Sequence, residues 1–258
     1  MTRRRRYRNS PIDEALCEFG FAPGVDWDPT IPGKLQAELG DEYSGKSREQ
    51  RAVKVGLQVQ RGKPADFQYD EGLAKVQLFS KPGTRMVGVG PGVLSIHMLR
   101  PYQDPADFEK GGWEEFRPRI VDALGAYRKV ASPSGVNRVA VRYINKILVP
   151  LASVRVEDYL KCAYLEIDGL PQDYGHFISR VEYIYDDGTR LVLSYGLFST
   201  SPKGVECLLD LDVIWQSGTL FDWEESLKIA DDLHERAGSA FEAVITDKAR
   251  ELFDAGRF

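Results

Sequence analysis

One segment of the chain carries basic side chains at every fourth position of a predicted strand. In the residues 137–148, Arg138, Arg142 and Lys146 fall on one side of an extended backbone, because successive side chains point to opposite faces. Guanidinium groups bind phosphate or carboxylate through paired hydrogen bonds. The pattern therefore has two interpretations. It is either a basic surface that binds an anion, or an ion pair in which Arg142 contacts Glu14 or Glu18 on the equivalent strand of the first half.

A pair of aspartates gives a second candidate site. Asp210 and Asp212 are two positions apart on a predicted strand, so they share a face and could hold a divalent cation for hydrolysis. The histidines, His97, His176 and His234, lack the spacing of a metal motif. A solvated outer face accounts for the aspartates, and packing at a helix boundary accounts for His234. We expect no metal and no cofactor, and a metal-dependent hydrolase or nuclease is the last of our hypotheses.

Two further motifs do not have the context that their chemistry needs. The sequence VGVGPGV at 87–93 lacks the lysine and the following helix of a phosphate-binding loop, so it predicts a hairpin turn. The cysteines at 17, 162 and 207 have neither CxxC nor Cys/His spacing, which indicates neither a disulfide framework nor a zinc site.

The charge is distributed unevenly. The 258-residue chain has a net charge of −5, yet five arginines lie within residues 3–8, so the remainder carries −10. An acidic body repels a phosphate backbone, which disfavours a broad nucleic-acid groove. A basic arm can still contact nucleic acid or an acidic protein surface. We predict a disordered tail over residues 1–10, with the following candidate binding residues: Arg3, Arg4, Arg5 and Arg6.

The elements that position these residues repeat once along the chain. Strand-like alternation occurs at 15–21, 53–60, 67–80, 85–99 and 137–148, and helical stripes begin near Trp113 and Trp223. Asp222 and Glu225 have the spacing of a capping box. We predict two halves, 11–130 and 131–258, each of order β-α-β-β-β-α, with a short helix at 156–164. The predicted fold is α+β: a largely antiparallel curved sheet with helices on one face, an internal duplication as in the TATA-binding protein, folded as one compact unit.

Three motifs give the chain a resemblance to a known family. They are PxxEAxxE at 11–18, RVxxRYIN at 138–145, and LH at 233–234 followed by FExxIT at 241–246. With these motifs the chain resembles an uncharacterised, sporadically distributed family of single-domain prokaryotic proteins. The resemblance implies a structural signature but no catalytic residue; the signature residues are Glu14, Glu18, Asn145, His234, Phe241 and Glu242. It also implies a cytoplasmic protein, and patchy distribution is typical of accessory or defence gene clusters.

These observations rank the functions. The leading hypothesis is a non-enzymatic interaction protein, an adaptor or regulatory subunit that docks a protein partner. The alternative is a nucleic-acid-binding protein that uses the arginine tail with the face of Arg138, Arg142 and Lys146. No apolar run approaches the roughly 20 residues of a membrane-spanning helix, so no membrane role is expected. The oligomeric state is left open.

Overall fold

The computed structural model describes residues 5–21, 27–58, 66–104, 107, 110–149, 155–162, 169–170, 176–201 and 204–254. These residues form a nine-stranded antiparallel sheet and four α-helices, which makes the fold α+β. The strands are β1 (Ile12–Phe21), β2 (Ser47–Gln58), β3 (Asp66–Phe79), β4 (Arg85–Gly90), β5 (Val93–Leu99), β6 (Val136–Val149), β7 (Phe177–Ile184), β8 (Arg190–Ser201) and β9 (Gly204–Phe221). The helices are α1 (Ile31–Leu39), α2 (Trp113–Ala131), α3 (Trp223–Val244) and α4 (Asp247–Asp254).

The two faces of the sheet differ in chemistry because side chains alternate along each strand. On β1, Ala15, Cys17 and Phe19 are fully buried and share one core with α2 and α3. We call this the helix face. The opposite face, which carries Glu14 and Glu18 of β1, is called the polar face below.

The strand order is β2-β3-β4-β5-β1-β6-β9-β8-β7. The first strand of each half, β1 and β6, therefore lie side by side in the middle of the sheet. Leu16 of β1 lies between His97 of β5 and Arg142 of β6, and Arg142 lies opposite Asp212 of β9. These paired positions lie side by side across four strands, although they are far apart in the sequence.

Two elements differ from the predicted order. The hairpin turn predicted at 87–93 is confirmed, since Gly92 at φ +67° closes a turn between β4 and β5, so the run 85–99 is two strands and the first half has five strands and not four. In the second half, a helix is predicted at 156–164; residues 156–162 form only a 3₁₀ turn at Val156–Asp158, and 163–164 lie outside the described residues. No helix among the described residues is long and apolar enough to cross a membrane.

Residues 5–10 contrast with the predicted disordered tail. Tyr7 is buried, with its ring edge-on to Phe253 and to Phe241. The backbone N–H of Asn9 donates to the carbonyl oxygen of Phe253 at 2.8 Å. An aromatic residue among the arginines thus attaches this segment to α3 and α4. Arg3 and Arg4 lie outside the described residues.

Candidate functional site

A cavity of about 470 Å³ lies on the helix face, between the N-terminal segment, the start of α2, and α3. It opens beside the ends of β1 and β6, where the signature motifs of the sequence meet. Aromatic and polar side chains from all these elements line it; the ones used below are Tyr7, Tyr102, Trp113, Tyr143, Asn145, His234, Ser239, Phe241 and Glu242.

A chain of aromatic contacts forms one wall of this cavity. The Nδ1 atom of His234 lies 2.6 Å from the Oη atom of Tyr143, whose hydroxyl is 3.4 Å from that of Tyr102. The imidazole also stacks on Trp113, with centroids 4.1 Å apart and planes within 5°. The His234 ring is thus held on one face and at one nitrogen.

Asp231, one turn before His234 on α3, fixes the other side of this wall. The indole N–H of Trp113 donates to its carboxylate at 3.1 Å, and Arg117 donates to both carboxylate oxygens at 2.7 and 2.8 Å. Paired guanidinium hydrogen bonds of this kind fix orientation as well as distance. The wall is therefore preorganised by contacts between α2 and α3.

Asn145 gives the cavity an unsatisfied acceptor. This residue is 1% exposed, and its Nδ2 atom donates to the carbonyl oxygens of Leu209 at 3.0 Å and Tyr143 at 3.3 Å. Its Oδ1 atom is buried and accepts no hydrogen bond from the part of the chain that the structure describes. Leaving a buried polar atom without a partner costs about 1–3 kcal/mol, so Asn145 is an energetically unfavourable group beside the cavity.

The N-terminal segment, residues 5–10, forms another wall of the cavity. The Tyr7 hydroxyl donates to Glu242 at 2.7 Å, and burial together with this hydrogen bond raises the pKa of Tyr7. Arg250 also donates to the Glu242 carboxylate, at 3.1 Å. Arg6 pairs with Glu114 at 2.7 Å, and Arg5 pairs with Asp254. Two arginines of the predicted tail are therefore engaged by acidic groups of the body.

The basic strand is paired with carboxylates across the polar face. Arg142 donates to Asp210 through Nε at 2.8 Å and Nη2 at 2.6 Å. Its predicted partners were Glu14 or Glu18, and that prediction was wrong. Arg138 instead pairs with Glu18 of β1, and Lys146 pairs with Asp13 of β1 at 2.8 Å. Arg138 and Lys146 therefore tie β6 to the first half, whereas Arg142 pairs within the second half.

A second network on the polar face has the order of a serine–histidine–carboxylate triad. The Nε2 atom of His97 lies 2.9 Å from the Ser95 hydroxyl, and its Nδ1 atom lies 2.6 Å from Glu14. Burial raises the pKa of Glu14, but the contact with His97 and the charge of Arg142 outweigh it, so the pKa is lowered. Ser95 is 0% exposed and also lies 3.1 Å from Lys75. A nucleophile that substrate cannot reach favours a structural role.

The aspartate pair does not lie on the solvated outer face that the sequence predicts, because Asp210 is only 7% exposed and pairs with Arg142. Asp210 is held by Arg142, and two strands separate Asp212 from His97, while His234 lies on the helix face. Among the residues described, no cluster of three or more histidine, cysteine or acidic side chains could hold a metal. The arrangement offers no histidine beside the two carboxylates.

The structure thus brings together Asn145, His234, Phe241 and Glu242 in one cavity, and Glu14 and Glu18 in the polar-face networks. Sequence reasoning missed Tyr7 as a wall of the cavity, although an aromatic side chain within an arginine run was a signal. It also missed the link of Ser95 to His97, whose i, i+2 spacing on a strand indicates a shared face.

Comparison with known proteins adds little. No family model matches the chain, and no curated protein matches it. Among solved structures, it is similar to the di-domain ARO/CYC BexL from the BE-7585A biosynthetic pathway, with 9% identity over 95% of this chain and 99% of that chain. The TM-score of 0.21 means that this likeness carries no argument about fold or function.

Proposed function

We propose that this chain is a non-enzymatic interaction protein, an adaptor or regulatory subunit that binds a segment of a partner protein in the helix-face cavity. The observation that carries the proposal is the 470 Å³ cavity with aromatic walls, beside which the buried Oδ1 atom of Asn145 has no described partner. A peptide N–H or side-chain donor would satisfy this atom where a small side-chain shift opens it to the cavity. Aromatic walls at Tyr102 and Phe241 suit an apolar side chain of the same segment.

The distribution of charge supports binding of a protein more than binding of nucleic acid. Arg138, Arg142 and Lys146 each form an ion pair, so the cations on which a phosphate-binding face depends are already compensated. Arg5 and Arg6 are paired as well. Nucleic-acid binding would have to break these pairs or use other residues.

The proposal includes the cellular location of the protein and an internal duplication of its fold. The sequence resemblance supports a cytoplasmic protein of a prokaryotic accessory or defence system. The arrangement of strands outward from β1 and β6 supports an internal duplication like that of the TATA-binding protein.

The test is a tagged pull-down of the full chain from cells that express its genomic neighbours, with and without nuclease, read by mass spectrometry. Ser239→Trp places a large ring at the exposed cavity wall, where the Ser239 hydroxyl bonds only locally to Glu235. Asp232→Trp is the matched control, exposed on the same helix but outside the cavity lining. The identified partner segment is then titrated into each purified variant by calorimetry.

We expect a stoichiometric, nuclease-resistant partner whose segment binds the native chain and Asp232→Trp equally, and Ser239→Trp at least tenfold more weakly. Equal binding by Ser239→Trp would overturn the cavity as the site. Recovery that depends on nucleic acid, or recovery of this chain alone, would overturn the proposed function.

A further inference from the structure

Strand β7 forms one edge of the sheet and carries exposed apolar side chains. The described strand order ends at β7, so one row of its backbone N–H and C=O groups has no neighbouring strand in the sheet. Ile178 and Ile184 are 70% and 72% exposed, although isoleucine is among the residues most often buried. A long apolar edge strand is a template for pairing with another chain.

The residues of β7 are self-complementary about Val181. Antiparallel pairing of two copies through this residue sets Arg180 opposite Glu182 of the second copy, twice, and Ile178 opposite Ile184, twice. Opposite charges and apolar pairs at directly opposed positions both stabilise an antiparallel ladder. Moving the two-fold axis by one residue, to Arg180 or to Glu182, sets Arg180 opposite Arg180 or Glu182 opposite Glu182. Both of these like-charge pairs are repulsive.

The hydrogen-bonding pattern of β7 agrees with this register. The N–H of Tyr185 donates to the carbonyl oxygen of Thr189 at 2.8 Å, so the odd-numbered residues of β7 bond to β8. The N–H and C=O groups of the even-numbered residues therefore point outward, because bonded and non-bonded pairs alternate. Arg180 and Glu182 are even-numbered, so their backbones can exchange both hydrogen bonds across the new interface.

From these observations we propose that two copies of this chain associate through β7, antiparallel and with Val181 on the two-fold axis, so that the nine described strands of each copy form one continuous sheet. Arg180 forms no ion pair with the described part of its own chain, and Glu182 has only a 3.6 Å contact with Arg190. Both side chains are exposed and available. The interface is isologous, as a closed dimer requires.

The first test uses charge reversal and sedimentation of the full chain over a concentration series. Arg180→Glu and Glu182→Arg each set like charges opposite each other, so each variant alone should lose at least tenfold in dimer affinity. Mixing the two variants, or combining both changes in one chain, restores opposite charges and should restore association. Unfolding temperatures of the variants serve as the control for folding, since both positions are exposed.

The second test is cross-linking. Val181→Cys places two thiols at a non-hydrogen-bonded pair, where Cα atoms lie about 4.5 Å apart, within disulfide range. Mild oxidation should link this variant, whereas Ser179→Cys, which lies opposite Tyr183, should not link. A native chain that stays monomeric at all concentrations would overturn the proposal. So would single variants that dimerise as well as the native chain, or equal cross-linking at 179 and 181.

Discussion

Asp210 and Asp212 share one face of β9, yet their surroundings give them opposite energetic roles. Asp210 accepts two hydrogen bonds from Arg142. Asp212 accepts none from the described residues, and burial, with the neighbouring charges of Asp210 and Glu18, raises its pKa despite Arg142 and Arg138. One carboxylate therefore stabilises the fold and the other opposes it at neutral pH.

At this scale we expect Asp212→Asn to stabilise the protein and Asp210→Asn to destabilise it. The pKa of Asp212 is higher in the folded state, so the folded chain holds its proton more tightly and stability falls as the pH rises through the range between the two pKa values. Removing the charge in Asp212→Asn should raise the free energy of unfolding at pH 7 by at most about 2 kcal/mol. The gain should shrink as the pH falls to the ordinary aspartate value, about 4.

The matched variant Asp210→Asn leaves Arg142 without its charged partner, a loss of about 1–3 kcal/mol. Urea unfolding at pH 7 and pH 4 measures both changes. Destabilisation by Asp212→Asn at pH 7 would contradict this account of the two carboxylates.

Strand β1 joins the halves through side chains as well as through its backbone. On the polar face, Glu18 accepts hydrogen bonds from Lys75 of β3 and Arg138 of β6, so one carboxylate links strands of both halves. On the helix face, the ring of Phe21 stacks on Tyr127 of α2 at 4.7 Å. The central strand is thereby anchored on both of its faces.

At the element scale we expect Glu18→Gln to lower the free energy of unfolding at pH 7 by up to about 3 kcal/mol, because two half-buried cations lose their partner. Burial raises the pKa of Glu18, but Lys75 and Arg138 outweigh it, so the pKa is lowered. The stabilisation is therefore present above the ordinary glutamate pKa and disappears as the pH falls through the lower folded value.

Acid titration of the native chain and the variant, followed by circular dichroism, measures whether their stabilities become equal at low pH. Glu49→Gln is the control: its 3.6 Å contact with Arg51 joins two largely exposed side chains, and its loss should cost less than about 1 kcal/mol. A pH-independent difference between the native chain and Glu18→Gln would refute the ion-pair explanation.

At the scale of the whole molecule, both halves contribute to the large buried core among the described residues. Phe19 and Val139, from the first strand of each half, belong to the same buried cluster as Phe116 of α2 and Leu233 of α3. Stacking of Trp113 on His234 joins the two long helices across the halves. We therefore expect that neither half buries its share of the core without the other.

At this scale we expect one cooperative unfolding transition, with calorimetric and van't Hoff enthalpies in agreement. The separate segments 11–130 and 131–258 should lack native near-ultraviolet circular dichroism, because each exposes β1 or β6 as a new edge. Two resolved transitions, or a segment that folds alone, would show that the halves are independent domains.

Much of this architecture is local and therefore readable from the sequence. Alternation at Ala15, Cys17 and Phe19 predicts the buried side of β1, because the strand period depends only on the backbone. The capping-box spacing predicts the start of α3, and the Asp222 carboxylate accepts a hydrogen bond from the Glu225 N–H at 2.8 Å. The stripe of Ala230, Leu233 and Ala237 predicts its buried face.

Partners across the sheet and the cavity were decided only by the tertiary structure. The alternation of β6 places Arg142 on the polar face, but strand order and register select Asp210 as its partner. Likewise Tyr7 and Glu242, 235 positions apart, meet only because the N-terminal segment packs on α3. Local spacing determines which side of an element a residue occupies, whereas the contacts of that side depend on pairing between distant segments of the chain.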